Sequence, residues 1–109
     1  MRRTLTRMLR RGGHEVIEAK DGQEGMRLFR TDDPDVVVTD IFMPQKEGIE
    51  TILNLRRENP TLPILAISGV AGRSKFYLDL AHKLGANRTF AKPFRTADLL
   101  QEINKLLLR

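Results

Sequence analysis

No cysteine occurs in the 109 residues, which excludes a disulfide framework and a thiolate metal site and fits a reducing compartment. No run comes near the roughly 18 consecutive apolar residues that cross a bilayer, so a membrane span is excluded. The opening MRRTLTRMLRR has the basic start of an export signal but no apolar stretch behind it, and a cytoplasmic location is expected. Internal repeats, low-complexity tracts and linkers are also missing. The chain reads as one unit, 1–109, and a domain of this size buries about two-thirds of the surface that its unfolded chain exposes.

What is present begins with charge. The net charge is +5, a value that can signal a nucleic-acid partner. Its distribution points elsewhere: Arg2, Arg3, Arg7, Arg10 and Arg11 crowd the first eleven residues, while the remainder carries fourteen residues of each sign. The excess belongs to one helix, on which Arg3, Arg7 and Arg10 share a face opposite Leu5, Met8 and Leu9. A solvated outer face is expected there, with no direct nucleic-acid contact.

Helix and strand patterns alternate along the chain. Residues 2–11 form an amphipathic helix stopped by Gly12-Gly13, and His14 to Ala19 alternate as a short strand. Asp21 caps a second helix with Glu24 in capping-box position. Asp35 to Asp40 make a β-branched run without polar alternation, as a strand covered on both faces requires. A third helix carries Ile49, Ile52 and Leu53 and ends at Asn59-Pro60. The strand ILAIS follows Pro63. Ser74 caps a fourth helix closed by Gly85. Residues 88–92 form the last strand, and Thr96 caps a final helix whose Leu99, Leu100, Ile103, Leu106 and Leu107 point one way. This order implies an α/β domain, a doubly wound parallel sheet with helices on both faces.

In such folds ligands gather at the carboxyl ends of the strands. Those ends carry Asp40, Ser68 and Lys92. A carboxylate can attack phosphorus to give an acyl phosphate, and a hydroxyl and an ammonium beside it can receive the new phosphoryl oxygens. Singly each residue reads as an ordinary turn residue; together, at the ends of three successive strands, they describe one site.

The segments DIFMPQKEG, ISG and KPF, at these separations, resemble the receiver domains of two-component response regulators, and the likeness runs over the whole length. The resemblance implies a flavodoxin-like receiver fold in which Asp40 accepts the phosphoryl group, Ser68 moves to bind it and Lys92 pairs with it. It implies Mg²⁺ held in part by Asp40 and the backbone carbonyl of Phe42. The implied partners are a histidine kinase or histidine phosphotransfer protein and a downstream output protein. The family is a switch rather than an enzyme in its own right. An aspartyl phosphatase would want a second Asp where this chain has Phe42.

Two departures stand out. Receivers normally open with a strand that ends in an acidic pair, which helps to hold Mg²⁺, and this sequence starts after it. Asp32 and Asp33 cannot replace that pair, because they lie on the order of 20 Å away, before the strand that Asp40 ends. In the family's strand order, 2-1-3-4-5, the missing strand is central. A start assigned inside the reading frame, a shortened chain and a sheet completed by another chain all account for it, with an internal Met as the favoured one. Two ways of closing the sheet follow: residues 14–19 pair with 35–40, or a second copy exchanges a strand or helix and buries Leu5, Met8 and Leu9, which is the preferred expectation. The second departure is Thr89 where many receivers carry an aromatic switch; Phe90 is expected to fill the core instead. A binding module that keeps the fold without accepting phosphate is the alternative function.

Overall fold

The computed structural model describes residues 2–40, 46–68, 74–91 and 94–108. Eight elements follow one another in these segments: α1 (Arg2–Arg11), α2 (Gly22–Asp32), β1 (Val37–Asp40), α3 (Lys46–Glu58), β2 (Ile64–Ser68), α4 (Ser74–Leu84), β3 (Arg88–Ala91) and α5 (Thr96–Leu107). The strands form a parallel sheet in the order β1-β2-β3, with Val37 opposite Ile64 and Leu65 opposite Arg88.

β2 is the centre of the molecule, and every one of its residues is buried. The period-two alternation of a strand sends its side chains to two separate cores. Ile64 and Ala66 meet Met26, Ile52, Leu55, Leu62, Ala81 and Ala86 from the α2, α3 and α4 side. Leu65 and Ile67 meet Leu9, Leu99, Ile103 and Leu106 from the α1 and α5 side. Phe90 packs on this second cluster and lies edge-on to Phe94, with ring centroids 5.6 Å apart, so it fills the core as expected.

Residues 14–19 are not a strand. They run as irregular chain after α1, with Val16 packed on the α1–α5 cluster and Ile17 54% exposed. A strand exists only through its ladder, and no described strand pairs with this segment. Direct pairing of 14–19 with β1 is therefore not what the chain adopts. Leu5, Met8 and Leu9, the residues that an exchanged dimer would bury against a second copy, pack here within their own chain against α5 and the sheet. His14 Nε2 and Asn104 Oδ1, 3.0 Å apart, add a polar tie to α5. β1 is shorter than 35–40, and Val37, Val38 and Thr39 are only half-buried, because β2 is the only strand that pairs with it among the described residues.

The caps follow local chemistry. Asp21 accepts the Glu24 N–H at 2.8 Å, as a helix N-cap does, and Glu24 Oε1 reaches back one residue beyond the cap to accept the Lys20 N–H at 2.9 Å. Thr96 is not a cap: it is the first helical residue, and Arg95 precedes it without a side-chain capping bond. α4 begins at Ser74 itself, whose side chain lies outside the described residues.

At the far ends of α2 and α3, Arg30 and Glu58 form a forked ion pair, with Arg30 Nε 3.1 Å from Glu58 Oε1. The Arg30 hydrogen bonds hold the Glu58 carboxyl below its ordinary value. A carboxyl with a lowered folded-state pKa contributes stability that is complete above its unfolded value and is lost as pH falls through the folded one. The pair is at the surface, so its share is small. Urea melts of the wild type and Glu58→Gln should therefore differ at neutral pH and converge in acid; a constant difference would remove the pair from the pH dependence.

Candidate functional site

β1 and β2 run parallel and in register, with Asp40 opposite Ile67, so the ends of both strands open at one edge of the sheet. Asp40 is exposed there. Ser68, one residue further along β2, is wholly buried, and its Oγ has no hydrogen-bond partner among the described residues. By strand parity Asp40 shares the face of Val38, towards α1 and α5, and Ser68 that of Ala66, towards α3 and α4, so the two residues meet the same edge of the sheet from opposite faces. Neighbouring strands lie about 4.8 Å apart. Ser68 is also paired with Ala91 at the end of β3. Lys92 and Phe42 lie outside the described residues.

The lone hydroxyl of Ser68 is costly. A buried polar group without a partner destabilises by about 1–3 kcal/mol, and the neighbours of Ser68 on β2 are apolar residues that an alanine would suit equally well. Ser68→Ala is expected to stabilise the resting fold by about 1 kcal/mol in urea denaturation. Destabilisation would mean that the hydroxyl has a structural partner.

A polar clamp that the sequence reading missed lies at the opposite, amino-terminal edge of the sheet. Asn87 Oδ1 accepts the Ile64 N–H at 2.8 Å and an Arg56 N–H at 3.0 Å, and Arg56 also donates to the Gly85 carbonyl at 2.6 Å. Gly85 has φ +132°, and a Cβ there would stand 3.0 Å from Arg56 Nε; the glycine thus serves both the left-handed turn and the close approach. Nothing in local spacing announces this clamp, because its members come from the last turn of α3, the start of β2 and the loop between α4 and β3. It holds the start of β2 and the approach to β3 in fixed register, which sets where their far ends fall.

The model of the response regulator receiver domain matches residues 1–104. The chain belongs to the response regulator receiver domain family. As a receiver it is 34% identical over 101 residues to the alkaline phosphatase synthesis transcriptional regulatory protein PhoP of Bacillus subtilis (strain 168), covering 93% of this chain and 41% of that protein. It is 36% identical over 109 residues to response regulator MprA of Mycolicibacterium vanbaalenii, covering all of this chain and 46% of that protein. The chain thus spans less than half the length of these relatives. The crystal structure of the NtrX receiver domain from Brucella abortus superposes with a TM-score of 0.89 at 25% identity, covering 98% of this chain and 89% of that one. The α/β receiver fold expected from the sequence is the fold observed.

Receivers are signalling domains of two-component systems, and the family in general binds Mg²⁺. Mg²⁺ asks for near-octahedral oxygen ligands, usually carboxylates with waters. Among the described residues no group of three or more His, Cys, Asp or Glu could hold a metal ion. Asp40 alone does not make such a site, and the described residues as they stand do not fit the ion. No helix of the described residues is long and apolar enough to cross a membrane.

Proposed function

We propose that this receiver accepts a phosphoryl group on Asp40 from a histidine kinase or histidine phosphotransfer protein, in the cytoplasm, and that the modified edge changes its affinity for an output protein. One observation supports this more than any other: a buried hydroxyl on Ser68, without a hydrogen-bond partner among the described residues, stands one register position beyond an exposed carboxylate on the adjacent strand. A buried hydroxyl without a partner among the described residues is a donor that a phosphoryl oxygen arriving at this edge can engage.

The transfer balances simply. A carboxylate oxygen of Asp40 attacks phosphorus of the phosphohistidine, the O–P bond forms as the P–N bond breaks, and the imidazole leaves with its electron pair and takes up a proton. Ser68 then donates to a phosphoryl oxygen, and Lys92 supplies a positive charge to the same group. The phosphoryl group adds roughly two negative charges to this edge. Its effect on Ser68, which closes a hydrogen bond absent before, is the local event that biases the fold between two states.

A small phosphoramidate donor offered to the chain tests the reading, with and without Mg²⁺. Peptide mapping should place the acyl phosphate on Asp40, and labelling should be slow, since the described residues hold no carboxylate cluster for the metal. A chain that takes no label under either condition, while remaining folded, supports the alternative of a binding module that works without phosphate.

A further inference from the structure

The described arginines divide into two groups. Beyond α1, Arg27 pairs with Glu24, Arg30 with Glu58 and Arg88 with Glu102, and Arg56 donates to the Gly85 and Asn59 carbonyls, while Arg57 and Arg95 are exposed on separate elements and form no ion pair among the described residues. On α1, Arg7, Arg10 and Arg11 are all exposed, and among the described residues none of them forms an ion pair. Arg10 reaches only the Val16 carbonyl, at 3.4 Å. The three guanidiniums line an open hollow of about 450 Å³ with Thr6 and Glu18, three positive charges against one carboxylate. Positions 7, 10 and 11 fall within one arc of the helix, and Arg7 and Arg11 stand one turn apart, about 6 Å along the axis.

Against the solvated face, free of nucleic-acid contact, that the sequence pattern alone suggests, we infer that this arginine ridge on α1 is a docking surface for the phosphodiester backbone of duplex nucleic acid, read without regard to sequence. Guanidinium forks match phosphate oxygens in bidentate fashion, and charges left uncompensated by the protein's own carboxylates gain from counterion release. Other anionic partners fit less well. A membrane-surface helix needs an apolar strip beside its basic face, and the strip of α1, Leu5, Met8 and Leu9, is packed into the core. An acidic protein surface needs apolar or aromatic anchors at its centre, and none lines the hollow. Single strands need aromatic rings on which bases stack, and the hollow has none. Solvation is the ordinary fate of exposed arginines, but here three charges converge on one hollow, whereas Arg27, Arg30 and Arg88 each pair with a carboxylate.

The test is fluorescence anisotropy of a labelled mixed-sequence duplex titrated with the full chain at several salt concentrations. Three phosphate contacts give a log–log salt slope of about −2.7, a loss of about 40-fold between 50 and 200 mM salt. Arg7→Gln/Arg10→Gln/Arg11→Gln should bring the slope close to zero, whereas Arg27→Gln/Arg57→Gln/Arg95→Gln, which removes the same charge elsewhere, should leave most of it. Equal losses in both triple variants would overturn the proposal, since binding would then follow net charge and not place. No binding at 50 mM salt, or tighter binding of polyglutamate or of phosphatidylserine vesicles than of the duplex, would overturn it too. Should the α1 variant fail to fold by circular dichroism, amide shifts of the wild type on adding duplex decide the matter: shifts confined to α1 and residues 14–18 support the ridge, and shifts centred elsewhere dismiss it.

Discussion

Asp40→Asn is expected to take no phosphoryl label from a phosphoramidate donor under conditions in which the wild type is labelled. The amide nearly matches the carboxylate in size and suits the same strand-end turn, so the fold should persist; but its oxygen carries no full negative charge and cannot form a stable acyl phosphate. Asp35→Asn serves as the control, because Asp35 is exposed and lies before β1, at the opposite end from Asp40. It should label like the wild type. Intact-mass spectrometry with far-UV circular dichroism on the same samples decides it. Label that survives in Asp40→Asn, or that vanishes in Asp35→Asn, would remove the site from the carboxyl edge of β1.

The second large effect concerns stability. Leu65→Ala should cost about 2–5 kcal/mol out of the roughly 5–15 that hold a domain together. Leu65 is fully buried in β2 and faces Leu9, Leu99, Ile103 and Leu106, so its loss opens a void between the sheet and two helices that cannot collapse without moving both. β2 is also paired on both sides, which leaves the strand itself unable to shift into the space. Urea denaturation would show the midpoint falling at unchanged slope. A loss under 1 kcal/mol would mean that α1 and α5 close in more readily than their packing suggests.

Much of this architecture could be read from the chain before any coordinates. Strong helical periodicity gave α1, α3 and α5, because a stripe such as Leu99, Ile103 and Leu106 has only one way to be buried. The β-branched run before Asp40 and the apolar ILAIS were equally plain. Residues 14–19 misled for the converse reason: their alternation is local, but strand formation is decided by a neighbour, and the described chain offers none. Thr96 misled because a threonine at a helix start fits the first helical position as well as the cap, and only backbone geometry separates them. At the site, motif spacing placed Asp40, Ser68 and Lys92 at strand ends; in the register Asp40 and Ser68 lie at one edge of the sheet, and Lys92 is outside the described residues. Burial of Ser68 without a partner was not legible, since it depends on everything packed around β2. The Arg56–Asn87 clamp was hidden likewise, its members being 31 residues apart.

The uneven burial of the sheet has a consequence in time. β2 lies inside two layers with a strand on either side, so its amides should exchange with deuterated solvent only when the whole molecule opens. In β1 the Val37 N–H bonds to Pro63, which turns the Val38 N–H outward to an edge where no described strand pairs. Exchange there should proceed through small local openings, far cheaper than global unfolding. The strand that bears Asp40 is thus softer than β2, and reshaping its end needs only a fraction of the free energy that keeps β2 in place.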